Sequence, residues 1–179
     1  GTNAHVIVEE FIVPSVHNTP SAQQPLVFVL SAKNKTLLQH YAQQYLDWLN
    51  THSDDTSIED VVYSSQMTRQ AMEQRLALVV NTIEELINQL QHYAQQGNAK
   101  YHYNIKNVSA FNAVINAETD VEQLAQSWAT GGFSDWSFLY RELPIEQRPQ
   151  RVALPLYPFA KHSYWLPQEE VEPEQTIIN

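Results

Sequence analysis

Residues 26–49, LVFVLSAKNKTLLQHYAQQYLDWL, decide the fold, because the hydrophobic period changes inside them. Leu26 to Leu30 is an unbroken aliphatic and aromatic run, which predicts a central β-strand. From Asn34 the pattern turns helical: Leu38, Tyr41, Tyr45, Trp48 and Leu49 fall on one face through about Asn50. A strand followed at once by an amphipathic helix recurs further along the chain.

Ser57-Ile58-Glu59-Asp60 resembles a helix-capping box with Asp at its fourth position, and it opens a second helix with Ile58, Val61 and Val62 inward. Arg75 to Val80 reads as the next strand. Thr82-Ile83-Glu84-Glu85 is a full capping box, followed by Leu86, Ile87, Leu90 and Ala94 on one face and by Gly97 as the stop. Tyr101 to Ile105 predicts a third strand, while Phe111 to Ile115 fits a strand or a helical turn equally. Thr119 to Glu122 caps one more helix, with Val121, Leu124, Ala125 and Trp128 as its stripe and Gly131 closing it. The expected fold is α+β: a small, roughly three-stranded, mostly antiparallel sheet with helices packed mainly on one face, plus extended N- and C-terminal arms.

The ends read differently from the middle. His5 to Val8 (HVIV) predicts a short buried strand cut from a larger sheet, and residues 14–25 carry three prolines and read as a connector. Beyond Gly131 come aromatic stations interrupted by Pro144, Pro149, Pro155, Pro158 and Pro167, which forbid a long helix. An arm that lays aromatic side chains on a surface fits this pattern. The expected divisions are 1–13, a strand remnant; 14–25, a connector; 26–140, the α+β unit; 141–167, an aromatic arm that wraps back; and 168–179, an acidic linker.

Composition narrows the chemistry. Ten basic and 20 acidic residues give a formal charge of −10, the wrong sign for a surface that replaces phosphate counterions, so nucleic acid is not an expected partner. Neither a membrane-length apolar run nor a signal-like N-terminus occurs, and a cytoplasmic setting is expected. The absence of cysteine removes disulfides, thiolate metal sites and a cysteine nucleophile together. His17, His40, His52, His92 and His102 form no metal-ligand spacing, and His102, between two tyrosines, is expected at the surface. His162-Ser163 lacks the glycines of a nucleophile elbow. Asp54 and Asp55 precede a helix N-terminus, where the dipole favours them. Gly131-Gly132 suits a helix C-cap better than a phosphate cradle, and no cofactor is implied.

Segments spread along the chain resemble one family. GTNAHVIVEE, from Gly1, is similar to the GTNAHVILEE that closes the ketosynthase domains of polyketide synthases. WATGGFSDWSFLY, Trp128 to Tyr140, resembles that family's W-x-x-G-x-x-x-D-W-x-x-L-Y, and RVALPLYPFAKHSYWL, Arg151 to Leu166, resembles its RVxLPTYPFxRxRYWL tail. Between them, LVFVLSAKNKTLL and MEQRLALVVNTIEEL look like the linker that follows a ketosynthase. Two departures stand out: Leu156 where the family has Thr, and His162-Ser163 where it has a charged pair.

The resemblance implies a role without catalysis. A ketosynthase needs a cysteine and two histidines; His5 belongs to a motif that is structural in the family. Synthases with a built-in acyltransferase carry it after the third linker strand, and the short interval from Ile105 to Val121 cannot hold one. The implied context is a trans-acyltransferase synthase, in which a discrete acyltransferase loads the carrier protein. The implied partners are that enzyme, the preceding ketosynthase and the domain that follows. The residues expected to pack between domains are Trp128, Trp136, Tyr140, Arg151, Leu154, Tyr157, Pro158, Phe159, Tyr164 and Trp165, with no catalytic, cofactor-binding or metal-binding residue. Two other readings stay open, a purely structural spacer and a degenerate acyltransferase. The chain by itself is expected to be monomeric.

Overall fold

The computed structural model describes residues 5–6, 24–111, 115–116 and 118–159. Three strands, β1 (Leu26–Ala32), β2 (Gln74–Val80) and β3 (Tyr101–Asn104), form an antiparallel sheet in the order β1-β2-β3. Phe28 stands opposite Leu78, Val29 opposite Ala77 and Leu76 opposite His102. Four α-helices surround it: α1 (Lys35–His52), α2 (Ile58–Met67), α3 (Ile83–Gln96) and α4 (Val121–Thr130).

Strand side chains alternate between faces, and here both faces are covered, so β1 and β2 read as continuous apolar runs. Phe28, Leu30, Leu76, Leu78 and Val80 point to one side, beneath Leu38, Tyr41, Tyr45 and Leu49 of α1 and Leu86, Leu90 and Tyr93 of α3. Val27, Val29, Ala77 and Tyr101 point to the other, against Leu124, Ala125 and Trp128 of α4. Each of these large side chains contributes about 1.5–3 kcal/mol by leaving water.

Contrary to the expectation of a central strand, β1 lies at an edge, and β2 is central. It is as apolar as a central strand because α2 lies along its open side. The Val29 N–H donates to Ser65 Oγ at 3.3 Å, and Gln66 Nε2 donates to the Val27 carbonyl at 2.7 Å. Ser31 Oγ bridges the loop, donating to the Gln70 carbonyl and accepting from the Met72 N–H. Side chains thus take the place of a fourth strand and satisfy the edge.

The helix ends follow their sequence signals. Asn34, Ser57, Thr82 and Asp120 each accept a first-turn N–H. Glu85 departs from the reciprocal box: its Oε2 accepts from the Asn81 N–H, not from Thr82. Gly97 (φ 66°) and Gly131 (φ 91°) end α3 and α4 in the left-handed conformation that favours glycine.

His5 and Val6 are exposed and without regular structure, and the rest of the expected strand, 7–8, lies outside the described residues. So do 112–114, where strand and turn were equally expected; Phe111 itself is in no regular element. Among the described residues no helix is long and apolar enough to cross a membrane.

Candidate interdomain face

After α4 the chain turns through Gly131 and runs back over α2 and α1. Its first stretch is pinned by a buried arginine. Arg75, at the start of β2, donates from Nη1 to the carbonyls of Trp128 (2.8 Å) and Phe133 (3.1 Å), and from Nε to that of Met72 (3.1 Å). Burial lowers its pKa. The C-terminal end of α4 offers a partly negative pole for that charge. Trp136 closes this layer, its ring 4.7 Å from Phe133 and 6.4 Å from Trp128.

Tyr140 comes next. Its hydroxyl donates to Gln66 Oε1 at 2.5 Å and its ring meets Tyr63 edge-on. Burial, then the neighbouring Tyr63, holds this phenol well above the ordinary tyrosine range. Gln66 therefore ties the β1 edge to the returning chain with one side chain.

Residues 150–159 then cross the helices as an irregular strip. The Gln150 N–H donates to Asp60 Oδ1 at 2.5 Å, and the Val152 N–H to Ser64 Oγ at 2.9 Å. Arg69, just past α2, donates from Nη2 to the carbonyls of Leu154 (3.3 Å) and Pro155 (3.0 Å). Tyr41 hydroxyl donates to the Pro155 carbonyl at 3.2 Å and accepts from Arg69 Nε at 3.1 Å. The Lys33 N–H donates to Tyr157 Oη at 3.1 Å, which fastens the strip to the end of β1. Beside Tyr157 lies a cavity of about 150 Å³ whose lining also includes Ser31, Tyr41, Arg69 and Trp136.

The strip has two sides. Leu154 is 6% exposed and joins the α1/α3 core, and Pro158 is buried. Leu156 and Phe159 are 79% and 78% exposed, although apolar. Tyr157 stands between, its ring edge-on to Tyr41 at 5.7 Å and to Phe159 at 5.0 Å.

Of the ten residues expected to pack between domains, Trp128, Trp136, Leu154 and Pro158 are enclosed by this chain's own elements. Tyr140 and Tyr157 are half-buried, Arg151 and Phe159 are exposed, and Tyr164 and Trp165 lie outside the described residues. Sequence reasoning missed Arg69, Ser64 and Asp60, which hold the strip, and Gln66, which holds Tyr140; nothing in their local pattern marks these roles. His102, expected at the surface, is half-buried, with Nε2 3.1 Å from the Tyr93 hydroxyl; burial first, then the Lys35 charge, lowers its pKa. Among the described residues no three His, Asp or Glu side chains gather as metal ligands.

The chain is similar to parts of polyketide synthases. Residues 26–90 match the family described as CurL-like, PKS C-terminal. The chain is 34% identical to polyketide synthase PksM of Bacillus subtilis strain 168 over 182 residues, covering 93% of this chain and 4% of that protein. It is also 34% identical to PksL of the same organism, over 97% of this chain and 4% of PksL. The ketosynthase from module 6 of the bacillaene synthase of Bacillus subtilis 168 superposes with a TM-score of 0.64 at 30% identity, over 84% of this chain and 28% of that one. Ketosynthase twelve from the bacillaene polyketide synthase of Bacillus amyloliquefaciens gives 0.66 at 29% identity, over 83% and 26%. The chain thus spans about 4% of the length of the curated synthases it matches and about a quarter of the ketosynthase structures. Residues 26–90 thus match the CurL-like, PKS C-terminal family, and the chain as a whole resembles the ketosynthase-flanking regions of modular polyketide synthases.

Proposed function

We propose that this region is a non-catalytic linker of a trans-acyltransferase synthase, holding the ketosynthase against the next domain and offering a docking surface to a discrete malonyl acyltransferase. The two-sided strip carries the reading: Leu154 and Pro158 lock it to this core, while Leu156 and Phe159 remain outward. Exposed large apolar side chains beside a rigid backbone suit a contact with a neighbouring domain. The short interval between β3 and α4, which leaves no room for an acyltransferase, supports loading by a separate enzyme. The net charge of −10 favours a basic acyltransferase face.

Titration calorimetry of this chain, alone and joined to its ketosynthase, against the discrete acyltransferase at low and physiological salt tests the docking half. Saturable binding that weakens with salt is expected. Absence of binding to both forms would leave only the structural spacer. A degenerate acyltransferase would instead form a covalent adduct with a malonyl thioester, and none is expected.

A further inference from the structure

We propose that Arg69 is the positioning residue of the returning strip, fixing the register that turns Leu154 inward and Leu156 and Phe159 outward. The functional weight of that register rests on the reading above; the clasp itself does not. Arg69 is seated on the core through Tyr41, whose ring is 2% exposed and packs edge-on against Tyr45 at 5.1 Å. From that seat its Nη2 meets two successive carbonyls, Leu154 and Pro155. Neither belongs to a helix or strand. Turns of three residues flank the clasp: the Leu154 N–H bonds to the Val152 carbonyl and the Phe159 N–H to the Tyr157 carbonyl. Such kinks carry no period of their own, so an external fork must choose which side chain faces the core.

Among the described residues no carboxylate lies at ion-pair distance from Arg69. Its charge is spent on Tyr41, the Thr68 carbonyl and the strip. The planar guanidinium divides these contacts between two nitrogens of one rigid fork, Nε on the phenol and Nη2 on the two carbonyls, a preorganised geometry that the single flexible ammonium of lysine does not reproduce. Arg69 thus holds the strip as a unit that opens separately from the sheet.

Hydrogen exchange of the 179-residue chain, read by mass spectrometry, tests this with Arg69→Met and Arg69→Lys. Peptides across 150–159 should exchange at least about tenfold faster in Arg69→Met, since bonds to a charged donor are lost, and faster by less than that in Arg69→Lys, which keeps a charge without the fork. Peptides across β1, β2 and α1 should keep their parental rates. Unchanged exchange in the strip would overturn the proposal. So would equal acceleration in strip and sheet, which would make Arg69 a general stabiliser. Neither outcome depends on whether a ketosynthase meets the strip.

Discussion

Arg75 and Trp128 are joined twice: the guanidinium carbon lies 5.2 Å from the indole centroid, and Nη1 donates to the Trp128 carbonyl at 2.8 Å. One arginine on β2 therefore fixes both the side chain and the C-terminal end of α4. Arg75→Met should keep much of the packing but leave the carbonyls of Met72, Trp128 and Phe133 without this donor. A loss of about 2–3 kcal/mol is expected. It would appear as a lower urea midpoint with an unchanged slope, and Arg75→Lys should fall between the two.

Two leucines in one short strip should behave oppositely. Leu154→Ala leaves a cavity in the α1/α3 core and should cost about 2–4 kcal/mol in urea denaturation. Leu156→Ala, on a side chain 79% exposed, should change the stability of this chain by less than about 0.5 kcal/mol. Equal costs at the two positions would contradict the two-sided arrangement.

Gln66 serves two groups, the Val27 carbonyl on the β1 edge and the Tyr140 hydroxyl on the returning chain. Gln66→Met retains the volume and removes both partners. A cost of about 1–3 kcal/mol follows from leaving buried polar groups unpaired. Tyr140→Phe should cost less, because the edge stays covered.

His102 gives the fold an acid limit. Its folded pKa lies below the ordinary imidazole value, from burial first and the Lys35 charge second. Between that folded value and the unfolded value of about 6.5, the unfolded chain binds more protons. Stability is therefore complete above the unfolded value and declines as pH falls toward the folded one. His102→Asn, which can still hydrogen-bond Tyr93, should lose that part of the decline between pH 7.5 and 5.5. The check is the urea midpoint of both proteins across this range.

Much of the fold is legible in the sequence because local chemistry sets it. Asn34, Ser57, Thr82 and Asp120 mark where helices start, Gly97 and Gly131 where two of them end, and the change of period after Leu30 separates β1 from α1. The edge position of β1 is hidden, since α2 buries that strand as fully as a second neighbour would. That α4 takes the face opposite α1 and α3 is equally hidden, because its stripe of Leu124, Ala125 and Trp128 would suit either side. The aromatic arm announces itself, but its inner and outer sides do not. Leu154 and Leu156 are two residues apart, an interval that puts neighbours on one face of a strand, yet one is buried and the other exposed. Partners at a sequence distance of 85 or 86 residues, Arg69 to Leu154 and to Pro155, make that choice.

The absence of cysteine from this chain makes one measurement direct. A single cysteine at Phe159, carrying a short photo-crosslinker, can be placed in this region within a ketosynthase-containing synthase whose own reactive thiol is blocked. Mapping the adducts by mass spectrometry then reports what the outer side of the strip touches. If the outer side of the strip meets the ketosynthase, as proposed, crosslinks form into the adjoining ketosynthase and are lost in the Arg69→Met background. Crosslinks confined to this region's own helices, or to solvent products alone, would contradict it.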